Sequence, residues 1–141
     1  MTTRRAATLL AALALVSLVA GLAGCSNRKA SPNREGHPGA ATASVVDGVQ
    51  QITLTVGNGF RFNPSTITVH QGTVKVTLVH KGTGAPHDFS VTGFPADNVP
   101  LARGGATTSA TFTTPSPGSY QFVCTIHVAQ GMTGTLVVLP S

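Results

Sequence analysis

The stretch that decides the fold of this chain is Cys124-Thr125-Ile126-His127-Val128-Ala129-Gln130-Gly131-Met132. It contains a thiol, an imidazole and a thioether, in the side chains of Cys124, His127 and Met132. Fully extended, it would span roughly 26 Å at about 3.3 Å per residue. Side chains that bind one ion must lie within a few ångström of one another, so the chain has to leave one strand, double back and enter the next. We therefore predict a tight loop between two neighbouring strands, with Gly131 easing the bend.

A second imidazole, His87, lies in a different connection, after the glycine-rich segment Gly82-Thr83-Gly84-Ala85-Pro86. Glycine allows close backbone approach and proline fixes one dihedral angle, so this segment can bring His87 next to the loop after Cys124. One thiolate, two imidazoles and one thioether are the donor set of a blue-copper site. The sequence therefore predicts one copper ion, Cu(I) or Cu(II), as cofactor.

From Gln50 onward, apolar and polar residues alternate with a period of two, which predicts short strands with one buried face. The predicted strands cover residues 50–56, 66–70, 73–80, 87–92, 109–113, 119–124 and 133–139, separated by turns rich in Gly, Pro and Asn. About seven to eight short strands in roughly a hundred residues predict an all-β protein, a Greek-key β-sandwich. The predicted core consists of the apolar residues on the inward faces: Ile52, Leu54, Val56, Ile67, Val69, Val74, Val76, Leu78, Phe89, Val91, Phe112, Phe122 and the strand 136–139.

The N-terminal segment predicts export from the cytoplasm. Arg4 and Arg5 precede a nearly unbroken apolar run over residues 6–22, as in a secretory signal peptide. The stretch Leu22-Ala23-Gly24-Cys25 resembles the lipobox of bacterial lipoproteins, in which the cysteine is acylated and becomes the new N-terminus. We therefore expect a lipoprotein signal peptide over residues 1–24 and lipidation at Cys25. An ordinary signal peptide with an incidental cysteine is the alternative.

The segment 25–44 is rich in Ser, Pro, Gly and Ala and predicts a disordered linker ahead of a folded domain over residues 45–141. The protein is thus expected to be lipid-anchored to a bacterial cell membrane, facing the periplasm or cell-wall space. With Cys25 acylated, Cys124 has no cysteine left to pair with, because the chain has 2 cysteines. Such a leftover thiol in an exported protein indicates an intermolecular bridge or a functional site.

The formal net charge of +5 overstates the charge of the folded domain. Its charged side chains are four cations and three carboxylates: Arg61, Lys75, Lys81 and Arg103 against Asp47, Asp88 and Asp97. Nucleic-acid binding is excluded, because it requires clustered cations that neutralise several phosphates.

Several motifs resemble the plastocyanin and pseudoazurin branch of the cupredoxins. They are Pro86-His87, the 120–138 segment with two residues between Cys and His and four between His and Met, and Phe62-Asn63-Pro64 followed by Ile67-Thr68-Val69 and Gly72. The resemblance covers nearly all of residues 50–139. It implies a cupredoxin-like sandwich in which the strong ligands are Cys124 and, through Nδ1, His87 and His127. Met132 would be a long axial ligand.

Two positions depart from that family pattern. Ile126 stands where the family usually has Pro, and Asp88 stands where plastocyanins have Asn. In the family, this Asn ties the two ligand loops together and its backbone amide donates a hydrogen bond to the Cys sulfur. An ionised carboxylate can only accept hydrogen bonds. We therefore predict that the Asp88 side chain accepts from backbone N–H groups around Thr125.

Four protein ligands leave no vacancy for a substrate, so the sequence predicts an electron carrier and not an enzyme. We expect a monomer whose redox partners dock transiently near His127, where the ring edge reaches the surface among Val128, Ala129, Ala85 and Pro86. Copper binding or copper delivery without electron transfer is the alternative function, and the sequence leaves it open. The remaining histidines are not predicted to be ligands: His37 in the linker, exposed His70, and His80 at the end of a strand.

Overall fold

The computed structural model describes residues 39–141. The predicted signal peptide, the lipidation site Cys25, His37 and the linker up to residue 38 lie outside this range. The strands are β1 Ala40–Thr42, β2 Ser44–Val46, β3 Val49–Val56, β4 Thr66–His70, β5 Thr73–His80, β6 His87–Val91, β7 Phe94–Ala102, β8 Thr107–Thr113, β9 Gly118–Val123 and β10 Thr133–Leu139. A single turn of 3-10 helix spans Val128–Gln130. No helix within residues 39–141 has the length and apolarity needed to cross a membrane.

The strands form two sheets that pack face to face. One has the order β1-β4-β10-β9-β6-β7 and the other β2-β3-β5-β8. β3 and β5 pair in parallel, as do β4 and β10, whereas β6 with β7 and β9 with β10 pair as antiparallel hairpins. The predicted all-β sandwich is confirmed.

Four connections meet at one end of the sandwich, which we call the site end: residues 57–65, 81–86, 103–106 and 124–132. They contact one another directly. The Gly84 N–H donates to the Asn58 side chain (2.9 Å), and Gly104 packs against Gly82 and Thr83. Both predicted ligand segments therefore belong to the same end of the domain.

The predicted core is buried between the sheets, with three exceptions. Phe112 is only half-buried, although it packs against the core. In β10, Val137 is half-buried and Leu139 is 37% exposed. Phe62, which the strand pattern did not indicate, is fully buried. Its ring lies 5.0 Å from that of Phe122 and 6.3 Å from that of Phe89. These three rings form an aromatic cluster adjoining the strand ends that lead into the site end.

Strand β7 was not predicted, because Pro95 and Pro100 lie within it. β7 is the edge strand of the six-stranded sheet. A proline N atom that faces outward from an edge removes no ladder hydrogen bond, so prolines are tolerated there.

The linker prediction is wrong for residues 40–44. β1 pairs in parallel with β4, and Ala41 and Ala43 pack against the core. Alanine, serine and threonine give no clear alternation between apolar and polar residues, so the sequence pattern did not predict this strand. The folded part begins before the predicted boundary at residue 45.

We predict that Gly134→Ala destabilises the fold by about 2–3 kcal/mol, the upper range for overpacking a filled site. An added Cβ would overlap the Phe122 ring and lie 2.6 Å from the Ser65 carbonyl oxygen. That oxygen has little freedom to move, since it accepts a hydrogen bond from the Thr135 N–H (2.8 Å). Urea unfolding of the metal-free domain measures the change.

The matched control is Gly59→Ala, whose Cβ would approach only the Arg61 side chain, at 3.9 Å. Its free energy of unfolding should stay within about 0.5 kcal/mol of the parent value. Equal stability of the Gly134→Ala variant and the parent would contradict the close packing described above.

Candidate metal centre

Three predicted ligands converge at the site end. The Cys124 Sγ atom lies 3.4 Å from Nδ1 of His127 and 3.8 Å from Nδ1 of His87, and the two Nδ1 atoms are 3.1 Å apart. Within residues 39–141, this is the one group of three or more His, Cys or acidic side chains whose donor atoms come within 4.8 Å of one another. The structure thus brings a thiol and two imidazoles together from two separate connections.

Backbone hydrogen bonds close the loop that contains two of these residues. The N–H of Cys124 donates to the carbonyl of Met132 (3.0 Å), the N–H of Met132 to His127 (3.2 Å), and the N–H of His127 to Cys124 (3.1 Å). Gly131 has a φ of 78°, in the left-handed region that favours glycine. The predicted tight loop is confirmed. Met132 is fully buried at its base, with its backbone paired to that of Cys124.

The His87 ring is buried, and a hydrogen bond fixes its orientation. Its Nε2–H donates to the Gly57 carbonyl oxygen (2.8 Å), so Nδ1 carries the free lone pair that faces Cys124 and His127. Burial is the largest influence on the His87 pKa and lowers it, the His127 and His80 rings lower it further, and the bond to Gly57 opposes this shift. His87 is therefore a neutral imidazole with the tautomer that a metal ligand needs.

The Cys124 thiol is free and fully buried. Burial raises its pKa, and the nearby Asp88 carboxylate raises it further, whereas hydrogen bonds from the backbone N–H groups of Asp88 and Ile126 lower it. Because the net shift is upward, the metal-free thiol is protonated at neutral pH, and a bound metal cation has to displace that proton.

The Asp88 side chain joins the two ligand connections. The backbone N–H of Thr125 donates to its Oδ1 atom (2.7 Å), and the Thr125 hydroxyl donates to Oδ2. The predicted role of Asp88 is confirmed. A carboxylate therefore replaces a neutral amide in the link between β6 and the 124–132 loop, and it places a negative charge next to the sulfur.

His80 packs against the His87 ring. Although it is the last residue of β5, it is only 2% exposed. Its Nε2–H donates to the Ala85 carbonyl (2.8 Å), and its ring stacks on that of His87 with centroids 5.4 Å apart. Its Nδ1 atom has no hydrogen-bond partner. His80 is thus not one of the converging donors. It supports the 81–86 connection and the His87 ring.

Phe60 covers the outer side of the cluster, a contact that no pattern in the sequence indicates. Its ring centroid lies 4.7 Å from that of His127 and 6.5 Å from that of His87. Phe60, Ile126 and Val128 are 44%, 48% and 51% exposed. We call these three residues the apolar patch. It surrounds the half-buried His127.

The donor atoms fit a single small soft ion. A metal at about 2.0–2.3 Å from nitrogen and sulfur donors separates those donors by roughly 3–4 Å. The three observed separations, 3.1, 3.4 and 3.8 Å, lie in this range. A thiolate with two imidazoles, and a buried thioether at the base of the loop, favours copper over hard cations such as Mg²⁺ or Ca²⁺.

Comparison with known proteins agrees with this geometry. Two auracyanins have the same fold: the dithionite-reduced auracyanin of the photosynthetic bacterium Roseiflexus castenholzii (25% identity, TM-score 0.57, 64% of this chain and 97% of that chain), and auracyanin A, a "blue" copper protein of the green thermophilic photosynthetic bacterium Chloroflexus aurantiacus (27% identity, TM-score 0.57, 64% and 99%).

The metal-binding domain of the Cu(I)-exporting P-type ATPase CopA of Streptococcus pneumoniae D39 also shares the fold (17% identity, TM-score 0.60, 74% of this chain and 99% of that chain). No curated protein sequence matches the chain significantly. The family model of the cupredoxin-like domain matches residues 14–138, most of the chain. This protein therefore belongs to the cupredoxin-like family.

Proposed function

We propose that the protein is a mononuclear blue-copper electron carrier. The observation that supports this most directly is the convergence of the Cys124 sulfur and two imidazole Nδ1 atoms within 3.8 Å of one another, with Cys124 and His87 fully buried. Auracyanin A, a structural relative at 27% identity, is described as a "blue" copper protein. Copper is the cofactor that this donor set selects.

The four ligands would be His87, Cys124, His127 and Met132, and the bound ion would supply a one-electron couple between Cu(II) and Cu(I). Contacts within the protein hold three of the donor groups in place. Gly57 fixes the His87 ring, Asp88 ties Thr125 to β6, and Phe60 packs on His127. Donors that are already positioned have little need to move when the charge of the centre changes, which favours rapid electron transfer.

The same features argue against catalysis and against metal delivery. Four protein ligands leave no coordination position for a substrate, which a catalytic metal requires. Two of the three converging donors are fully buried, so the metal has no wide path for direct transfer to another protein. Within the proposal, electrons enter and leave at the apolar patch around His127, where redox partners dock briefly.

The proposed location follows from the sequence of the N-terminal segment. Acylation at Cys25 would attach the domain to the outer face of the cytoplasmic membrane or to another envelope membrane. The segment between Cys25 and β1 would then set the distance over which the carrier reaches its partners.

We predict that Cys124→Ser abolishes the intense visible absorption of the copper-loaded protein and its reversible voltammetry. The band requires a thiolate ligand, which a hydroxyl does not replace. Circular dichroism should still show the β-sandwich. His70→Gln is the matched control, because exposed His70 lies outside the cluster, bonded to the Pro140 carbonyl. This control should keep the band. A blue Cys124→Ser variant would overturn the assignment, and a parent protein that loses copper quickly and cycles poorly would favour copper delivery.

We expect Met132→Leu to keep the visible band and to raise the reduction potential by about 60 mV or more. Loss of the weak axial donor disfavours Cu(II), and 59 mV corresponds to about 1.4 kcal/mol for one electron. Leu136→Met, a swap of similar volume at a buried position of β10, the strand that follows Met132, is the control and should leave the potential unchanged. An unchanged potential in Met132→Leu would show that Met132 is not a ligand.

Asp88→Asn should raise the potential by roughly 50–100 mV, because removing a negative charge near the sulfur is worth on the order of 1–2 kcal/mol at an intermediate dielectric constant. The amide oxygen can still accept from the Thr125 N–H. Asp47→Asn removes the same charge in the β2–β3 turn, at a φ of 51° that Asn also adopts readily. Film voltammetry of both variants measures the difference. Equal shifts in the two variants would refute a local effect of Asp88.

A further inference from the structure

The charged side chains of residues 39–141 are distributed unevenly along the sandwich. Three of the four cations lie in connections of the site end: Arg61 between β3 and β4, Lys81 between β5 and β6, and Arg103 between β7 and β8. All three are exposed, and none forms an ion pair within the described residues. The fourth cation, Lys75, is half-buried in the first half of β5, away from the site end.

The carboxylates offset little of this positive charge. Asp47 lies in the β2–β3 turn at the opposite end, roughly 25 Å away along β3. This distance is several times the Debye length of about 8 Å at physiological ionic strength. Asp97 is 8% exposed. Both oxygens of Asp88 already accept hydrogen bonds from Thr125.

The metal centre itself does not reverse the sign. With copper bound, the two positive charges of Cu(II) would be balanced by the Cys124 thiolate and the Asp88 carboxylate, so the oxidised centre would be neutral. The reduced centre would carry one negative charge. The three exposed cations therefore keep the site end positive in both oxidation states.

The apolar patch lies within the same end of the domain. Phe60 is the residue directly before Arg61, and its ring packs on His127. A small apolar centre accompanied by exposed charges of one sign suits brief docking, because the charges steer the approach and the apolar centre is desolvated on contact.

We propose that the site end docks an electron-transfer protein whose own docking face presents carboxylates around an apolar centre. This inference rests on the electron-carrier function proposed above and specifies the chemistry of the partner. In the encounter, one electron passes between the copper centre and the one-electron centre of the partner, so one is oxidised as the other is reduced. Arg61, Lys81 and Arg103 determine the rate of association.

The test uses one haem protein in two charge states: an oxidised basic c-type cytochrome, native or with its lysines succinylated. Each form is mixed by stopped flow with the reduced copper-loaded protein, so that haem Fe(III) becomes Fe(II) as Cu(I) becomes Cu(II). The rate with the succinylated form should be about tenfold higher at low ionic strength than at high ionic strength. The rate with the native form should show the opposite dependence.

Combined replacement of the three cations, R61Q, K81Q and R103Q, should remove most of this dependence on ionic strength and lower the low-salt rate about tenfold. Lys75→Gln removes one positive charge away from the site end and should leave the dependence unchanged. The visible band and the potential of each variant verify that its copper centre is intact.

A triple variant with the salt dependence of the parent, or a native cytochrome that reacts faster as the salt is lowered, would overturn the proposal. Failure of the electron-carrier function is distinguishable, because the parent protein would then lack the visible band or reversible voltammetry before any cytochrome is added. In that case the docking proposal falls with it.

Discussion

The hydrogen bond from His87 Nε2–H to the Gly57 carbonyl is the contact on which the metal centre depends. It joins the β3–β4 connection to the first residue of β6 and leaves Nδ1 as the free donor atom. Gly57 can occupy this position because it has no side chain: a Cβ would lie 2.5 Å from the Lys81 carbonyl oxygen. The close approach of the two connections is also fixed by a bond from the Lys81 N–H to the Val56 carbonyl (2.8 Å). Without the hydrogen bond to Gly57, the buried His87 imidazole would be left with an unsatisfied N–H, at a cost of about 1–3 kcal/mol.

The position of His80 beside the His87 ring is locally unfavourable for stability. Its Nδ1 atom is buried without a hydrogen-bond partner, which is unfavourable for a polar atom. The same side chain bonds to the Ala85 carbonyl and stacks on His87. A purely apolar residue would avoid the unsatisfied nitrogen and would lose the hydrogen bond to the loop that ends at His87. The position of His80 is therefore understandable as support for the ligand, with a local loss of stability.

The parts of the structure that the sequence predicted follow from local chemistry. Alternation of apolar and threonine residues located β3, β4 and β5, and donor type located Cys124 and the two histidines. The Asp88–Thr125 link was predictable from the family resemblance, which implies a side chain at position 88 that ties the two ligand loops together, and from the acceptor-only chemistry of a carboxylate. The contact of Phe60 with His127 was not, because it joins residues 67 positions apart through packing alone. β1 was missed because its small residues give no alternating pattern, and β7 because of its two prolines. Both are edge strands of the six-stranded sheet.

The bond between the Cys124 N–H and the Met132 carbonyl has a consequence for how this domain can change over evolutionary time. The β9–β10 ladder pairs Val123 with Thr133, and the Cys124–Met132 bond continues it by one rung. Residues 125–131 project beyond this rung and add nothing to the register of the sheet. Insertions or deletions there alter the spacing of the metal donors and leave the sandwich as it is. The β-sandwich and the 125–131 segment can therefore evolve independently. Exchange of these seven residues would give the same sandwich a metal centre with different properties.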